Sequence, residues 1–234
     1  MRRSRWMGVV IGALLMVSAG RADAAAITFN TLAAWSTAVG PYATETFNSF
    51  VADVSFRNAT ANLSGGMSVT GTFSSNATTN RIDAAPSEFG GFYNLGSGTA
   101  LLGDLEANQF IRFDFATPLT AWAMDTKGIS DGGAGVRETT VSIFTSSNVL
   151  LGTTVLSSDN TNQQLLFYGF QLTGGDTASY VTLVNPLNNN DVFGVDDVRY
   201  VQAAQAVPEP ASLLLLGSGA IGLMARRRAR RKKQ

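Results

Sequence analysis

The sequence predicts an all-β protein: a single antiparallel β-sandwich of jelly-roll type with one short N-terminal helix, framed by an N-terminal signal peptide and a C-terminal transmembrane helix. Three observations predict it. Between residues 25 and 206 the chain is rich in Thr, Ser, Asn and Gly and breaks into short alternating runs bounded by turn formers, at spacings that suit a sandwich. Cysteine and histidine are both absent, so stability must come from an apolar core without disulfides or the usual zinc ligands. Two apolar stretches at the chain ends stand outside the alternating pattern, each beside a cluster of basic residues.

The clearest strand is Phe110-Ile111-Arg112-Phe113-Asp114-Phe115, in which Ile111, Phe113 and Phe115 share one face while Arg112 and Asp114 point to the other. One face is buried and one is wet. A second run, Leu119 to Asp125, begins after Pro118 and is expected to pair with Val136 to Thr145 across the glycine-rich loop 128–135. Further strands are expected at Ser68–Phe73, Val149–Leu156, Gln164–Leu172, Ser179–Asn185 and Val192–Val201. Leu165 to Phe170 is apolar or aromatic on both faces, as a strand covered on both sides would be.

Near the start, Ile27 to Phe29 reads as a strand and Thr31 to Ala38 as a short helix capped by Thr31. Leu32, Trp35 and Val39 fall at i, i+3 and i+7 and form one apolar stripe to lay against the sandwich. A strand follows through Thr44 to Phe47. Residues 52–66 and 76–98 carry weak patterns and many turn formers, and read as long loops or irregular strands. Strand order is left open. One sandwich over residues 25–206 is long enough for a core of its own, with no linker dividing it.

The ends read as export signals. Arg2, Arg3 and Arg5 precede an apolar stretch from Trp6 to Ala19, and Ala22-Asp23-Ala24 has the small-x-small form of a cleavage site, so residues 1–24 are expected to be removed, with Ala26 as the next choice of cut. At the other end Val207-Pro208-Glu209-Pro210 is followed by an apolar run of fifteen residues, Ala211 to Ala225. That is short of the roughly 20 residues that comfortably span a bilayer, yet it can cross with local thinning. Arg226, Arg227, Arg228, Arg230, Arg231, Lys232 and Lys233 follow directly, and such a cluster is held on the cytoplasmic side. The body must then lie outside.

Signal peptide, exported body, Pro-Glu-Pro, short membrane segment and basic tail, in that order, resemble the PEP-CTERM proteins of Gram-negative bacteria; the specific resemblance covers Val207 to Gln234. It implies sorting by an exosortase, a membrane-embedded cysteine peptidase that releases or transfers the exported portion, usually in organisms that make exopolysaccharide. Pro208, Glu209 and Pro210 would then be the recognition element. Two prolines fix φ and remove backbone donors, keeping the motif extended and reachable. The alternative is a permanent anchor with a proline-rich hinge.

Charge and composition narrow the function. Eleven of the 17 basic residues but only two of the 17 acidic ones lie in the two signals, leaving six basic and fifteen acidic residues in the body, a formal charge of −9. This argues against nucleic acid as a partner and suits divalent cations or a solvated extracellular life. Without Cys or His there are no thiol nucleophiles and no Ser-His-Asp arrangement.

The compact carboxylate pairs are Asp104 with Glu106 and Asp196 with Asp197. In Phe193 to Tyr200, alternation sends Asp196 and Asp197 to opposite faces, so one points inward and needs a cation or several donors. The last strand of a sandwich often lies beside the first, where Glu45 is available. The ending looks like the closing strand of many exported jelly-roll modules, including carbohydrate-binding ones. That similarity implies a structural Ca²⁺ site using Glu45, Asp196 or Asp197 with backbone carbonyls; the alternative is a buried carboxylate that pins loops through backbone N–H groups. Asn188 to Asp191 could also supply oxygen ligands, or simply form an Asx-rich turn.

Trp122, Tyr93, Tyr168 and Trp35 are the aromatics able to stack on sugar rings, and Trp122, opposite in phase to Ala121 and Ala123, is the best single candidate if the alanines face the core. Three function classes follow. The first is a non-catalytic surface or extracellular-matrix protein whose partners are the exosortase, the export machinery, the inner membrane before processing and extracellular polysaccharide. The second is a carbohydrate-binding module stabilised by Ca²⁺, and the third a carboxylate-based hydrolase.

Overall fold

A computed structural model describes residues 26–72, 78–84, 95, 98–106, 109–130, 138–157, 165–186 and 191–204. Both expected signals, residues 131–135 of the expected glycine-rich loop and residues 188–190 of the expected Asx-rich turn lie outside them. In chain order the elements are β1 (Ala26–Phe29), α1 (Leu32–Val39), β2 (Ala43–Glu45), β3 (Val54–Ser55), β4 (Thr60–Asn62), β5 (Met67–Gly71), β6 (Arg81–Asp83), β7 (Ala100–Leu105), β8 (Phe110–Lys127), β9 (Glu138–Phe144), β10 (Leu150–Ser157), β11 (Leu165–Leu172), β12 (Ala178–Val184) and β13 (Asp191–Gln202). Every strand pair is antiparallel.

The 18-residue strand β8 organises the sandwich. Its first half lies between β5 and β12, and its second half between β11 and β13. One layer therefore runs β4-β5-β8-β12-β9-β10. The other runs β1-β11-β8-β13-β7-β6-β3, with β2 pairing the C-terminal half of β13. The change of partners falls at Ala116 to Pro118, so Pro118 sits inside the strand where no ladder hydrogen bond is asked of its nitrogen. Its carbonyl accepts from Ala203 N at 2.8 Å, which ties the end of β13 to this bend.

Between the layers Val69, Ile111, Phe113, Ile143 and Val181 meet Trp122, Met124, Phe170, Phe193 and Val195 in one apolar cluster. The inward residues of the first half of β8 thus pack on those of its second half, as in the contact of Phe113 with Trp122 at 5.5 Å between ring centroids.

The helix covers the outer face of the second layer. Thr31 caps it, accepting from Ala34 N, and Leu32, Trp35 and Val39 lie with Ala121 and Ala123 of β8 in a second apolar cluster. Trp35 donates its indole N–H to Phe170 O at 3.0 Å. Gly169 permits this approach, because a Cβ there would stand 2.7 Å from Trp35 Cδ1. The expected double covering of β11 has this cause: Tyr168 and Phe170 face the sandwich, and Phe167 faces the helix.

One expectation fails, and one strand goes unforeseen. The segment Leu119 to Asp125 does not pair with β9, because both edges of that half of β8 are taken by β11 and β13, and β9 lies instead between β10 and β12. Strand β7 is not anticipated by any alternation, since all six of its residues are buried and both of its faces are covered.

Candidate functional site

Trp122 is not a surface platform. It is 0% exposed and its ring packs on Phe113 and Phe170 inside the sandwich. The phase relative to Ala121 and Ala123 is as expected, but both faces of this strand are covered. The two alanines lie beneath the bulky Trp35 of the helix, and the larger indole fills the wider space between layers. Trp35 and Tyr168 are buried as well, and Tyr93 lies outside the described residues. Burial pushes the Tyr168 phenol above its ordinary value of 10.

The three carboxylates suggested for calcium do not fit such a site. Strand β13 does pair with β2, at Val198 and Glu45. Glu45, however, turns both oxygens to backbone donors: Phe47 N reaches Oε1 and Ser64 N reaches Oε2, each at 2.6 Å. Asp196 is buried and accepts from Asp197 N at 2.7 Å. Asp197 adopts φ 47° at an irregularity in the ladder and turns outward, where its Oδ2 meets Arg199 at 2.8 Å. Arg199, its side chain 7% exposed, also binds Asp125 at 2.9 Å. Among the described residues no group of three or more His, Cys, Asp or Glu side chains could hold a metal ion. Asp104, the other paired acid, is buried with Thr79 and Asn80 against it, while Glu106 meets Gln109.

A pocket of about 380 Å³ lies elsewhere, on the outer face of the first layer, lined by Arg112 and Asp114 of β8, Ser179 and Tyr180 of β12, and Ser146 and Asn148 from the turn between β9 and β10. Local sequence builds each wall. Arg112 and Asp114 are two apart on β8 and so share its outer face, where Arg112 Nε donates to Asp114 Oδ1 at 2.9 Å. Tyr180 is the register partner of Asp114 on one side and of Phe144 on the other. Phe144 stacks on it at 4.8 Å, and the Arg112 guanidinium lies 3.8 Å from its ring centre. This leaves Tyr180 8% exposed.

Asn148, at φ 63°, takes the left-handed turn position that asparagine tolerates, and its Oδ1 accepts from Tyr180 OH at 3.0 Å. Sequence reasoning saw Arg112 and Asp114 only as a wet face. The sequence signal for the rest was slight: an Asn at a turn and one Tyr in an alternating strand.

The comparisons bear on the tail. Residues 206–231 match the family model described as the PEP-CTERM protein-sorting motif. The C-terminal segment is a PEP-CTERM sorting motif. Such a motif implies export, a tail associated with the membrane before processing, and an exosortase as partner.

No curated protein is detectably similar in sequence to the chain. Among solved structures, CpGH89CBM32-6 produced by Clostridium perfringens is 15% identical, with 59% of this chain and 95% of that one covered and a TM-score of 0.32. A mutant of the lectin binding domain of lectinolysin complexed with Lewis b is 13% identical, with coverages of 70% and 100% and a TM-score of 0.35. An arabinose-bound α-L-arabinofuranosidase is 10% identical, with coverages of 71% and 27% and a TM-score of 0.40. Pro208, Glu209 and Pro210 fall within the matched residues, and they and the basic run from Arg226 onward lie beyond the last described residue, Ala204.

Proposed function

We propose that the protein is a non-catalytic component of the cell surface or extracellular matrix, delivered as a folded sandwich of residues 25–206 after removal of residues 1–24 and exosortase processing of the tail at 207–234. The sorting motif at residues 206–231 carries this reading. The absence of catalysis is supported by the engagement of the compact carboxylate pairs: Asp104 is enclosed, and Asp197 is neutralised by Arg199.

Intact-mass measurement on protein recovered from the native host, from cell envelope and from secreted matrix, tests it. A species beginning near Ala25 and ending near Pro208 is expected in the matrix. A single species retaining Arg226 to Gln234 would make the tail a permanent anchor and end the processing reading.

A second reading, binding of extracellular polysaccharide, is favoured by the pocket on the first layer, since its hydroxyl, amide and charged groups match a polyhydroxylated ligand. It no longer involves Trp122 or calcium.

A further inference from the structure

We infer that the pocket formed by Arg112, Asp114, Ser146, Asn148, Ser179 and Tyr180 binds a neutral sugar unit through hydrogen bonds, without a metal ion. The inference rests on the polysaccharide-binding reading and names its ligand class. At about 380 Å³ the pocket falls at the lower end of ligand sites, which run from about 300 to 1,000 Å³.

Its polar atoms decide the class. Asp114 Oδ1 takes both donors that Arg112 directs at it, and Oδ2 accepts from no described residue. Asn148 spends its oxygen on Tyr180 OH, so both hydrogens of its amide nitrogen remain to be given. Ser146 and Ser179 add two hydroxyls that either donate or accept. An acceptor, a double donor and two groups of either kind therefore face one small volume, the complement of neighbouring sugar hydroxyls.

Charged ligands fit less well. The only full charges lining the pocket are one guanidinium and one carboxylate, and they are bonded to each other, so the site has no net charge. An acidic sugar would bring its carboxylate against Asp114 and compete for an arginine already held. A calcium ion asks for six to eight oxygens and would meet Arg112. The Tyr180 ring does not act as a stacking platform, because Phe144 and Arg112 flank it. Its edge, with Phe115 and Pro118, gives the pocket an apolar wall instead.

The test uses the full chain in detergent, with immobilised dextran and galactan as neutral probes, immobilised alginate as the acidic one, and each binding run repeated in EDTA. Retention on a neutral polymer is expected, unchanged by EDTA, with a tenfold or greater loss in D114N and in N148A, each removing a hydrogen bond to the ligand. T153A, on the same sheet but outside the pocket, should bind as the parent does, and thermal melts of all variants report folding separately. Retention on alginate alone, or only with calcium, would overturn the neutral-sugar inference while keeping the polysaccharide reading. Undiminished binding by well-folded D114N and N148A would place the ligand elsewhere and overturn the inference. No retention on any polymer would overturn both, leaving the sorting reading to the mass measurement.

Discussion

Replacing Glu45 by Gln should weaken the domain measurably. Glu45 is 3% exposed, and its two carboxylate oxygens each accept a 2.6 Å hydrogen bond from a backbone N–H, one from Phe47 and one from Ser64. Phe47 is itself held at φ 58° with its ring fully buried, a conformation that costs of order 1–3 kcal/mol and persists only when its surroundings enforce it. Gln keeps one acceptor but sets an NH₂ group against the other N–H, so one charged hydrogen bond is lost and a buried donor is orphaned. A hydrogen bond to a charged group contributes roughly 1.5–3 kcal/mol, which places the loss at about 2–3 kcal/mol. For a domain of this size each kcal/mol moves Tm by roughly 2–4 °C, so a fall of about 4–12 °C is expected.

Differential scanning calorimetry on parent and E45Q, each with and without EDTA, is the assay. Chelation should leave both curves where they were, because backbone N–H groups, not calcium, satisfy the carboxylate. An unchanged E45Q midpoint, or a parent midpoint that falls on chelation as far as the substitution lowers it, would refute the clamp.

Three further outcomes follow from the core. W122A should cost about 3–5 kcal/mol in denaturant titrations, since it empties the space between Phe113 and Phe170; W122F should cost far less, because the buried indole N–H has no hydrogen-bond partner among the described residues. R199M should cost about 1.5–3 kcal/mol in the same titration, because it removes the charged hydrogen bonds that Arg199 gives to Asp125 and Asp197, two carboxylates that keep some contact with water. The Tyr168 phenol is raised by burial, so its contribution is fully present below pH 10 and is lost as pH rises above that value, where the unfolded chain ionises and the folded one resists. Stability should therefore fall with a slope of up to about 1.4 kcal/mol per pH unit on the alkaline side. Y168F should remove that slope without a penalty at neutral pH, since the hydroxyl has no partner among the described residues, and denaturant midpoints measured across the alkaline range check both.

Strands with one wet face were legible because alternation reports a difference between two sides. Phe110 to Phe115 shows it, and so does the stripe of Leu32, Trp35 and Val39 on the helix. Where both sides are covered the signal vanishes, which is why β7 escaped notice and Trp122 was assigned to the wrong side of a strand whose phase was read correctly. Pairing was legible only in part. Glu45 does lie beside the closing strand, but the hairpin across loop 128–135 does not form, since a single strand can serve two sheets and nothing in its residues announces the handover.

The pocket was the least legible feature. Its six polar and aromatic residues come from β8, the turn before β10, and β12, and only register brings Asp114, Tyr180 and Phe144 into line. The sorting tail lies at the opposite extreme, because its information is linear and an enzyme reads it as a string.

The hydrogen bond from Ala203 N to Pro118 O fixes where that string begins. Four residues, 204 to 207, separate the anchored Ala203 from Pro208, a reach of at most about 18 Å at full extension. A peptidase reaching the motif must therefore work nearly flush against the folded body. If the motif is cut, the sandwich would limit how far the enzyme can advance along the chain. Pro118 also lines the pocket, so the point where the described chain ends and the pocket share one residue.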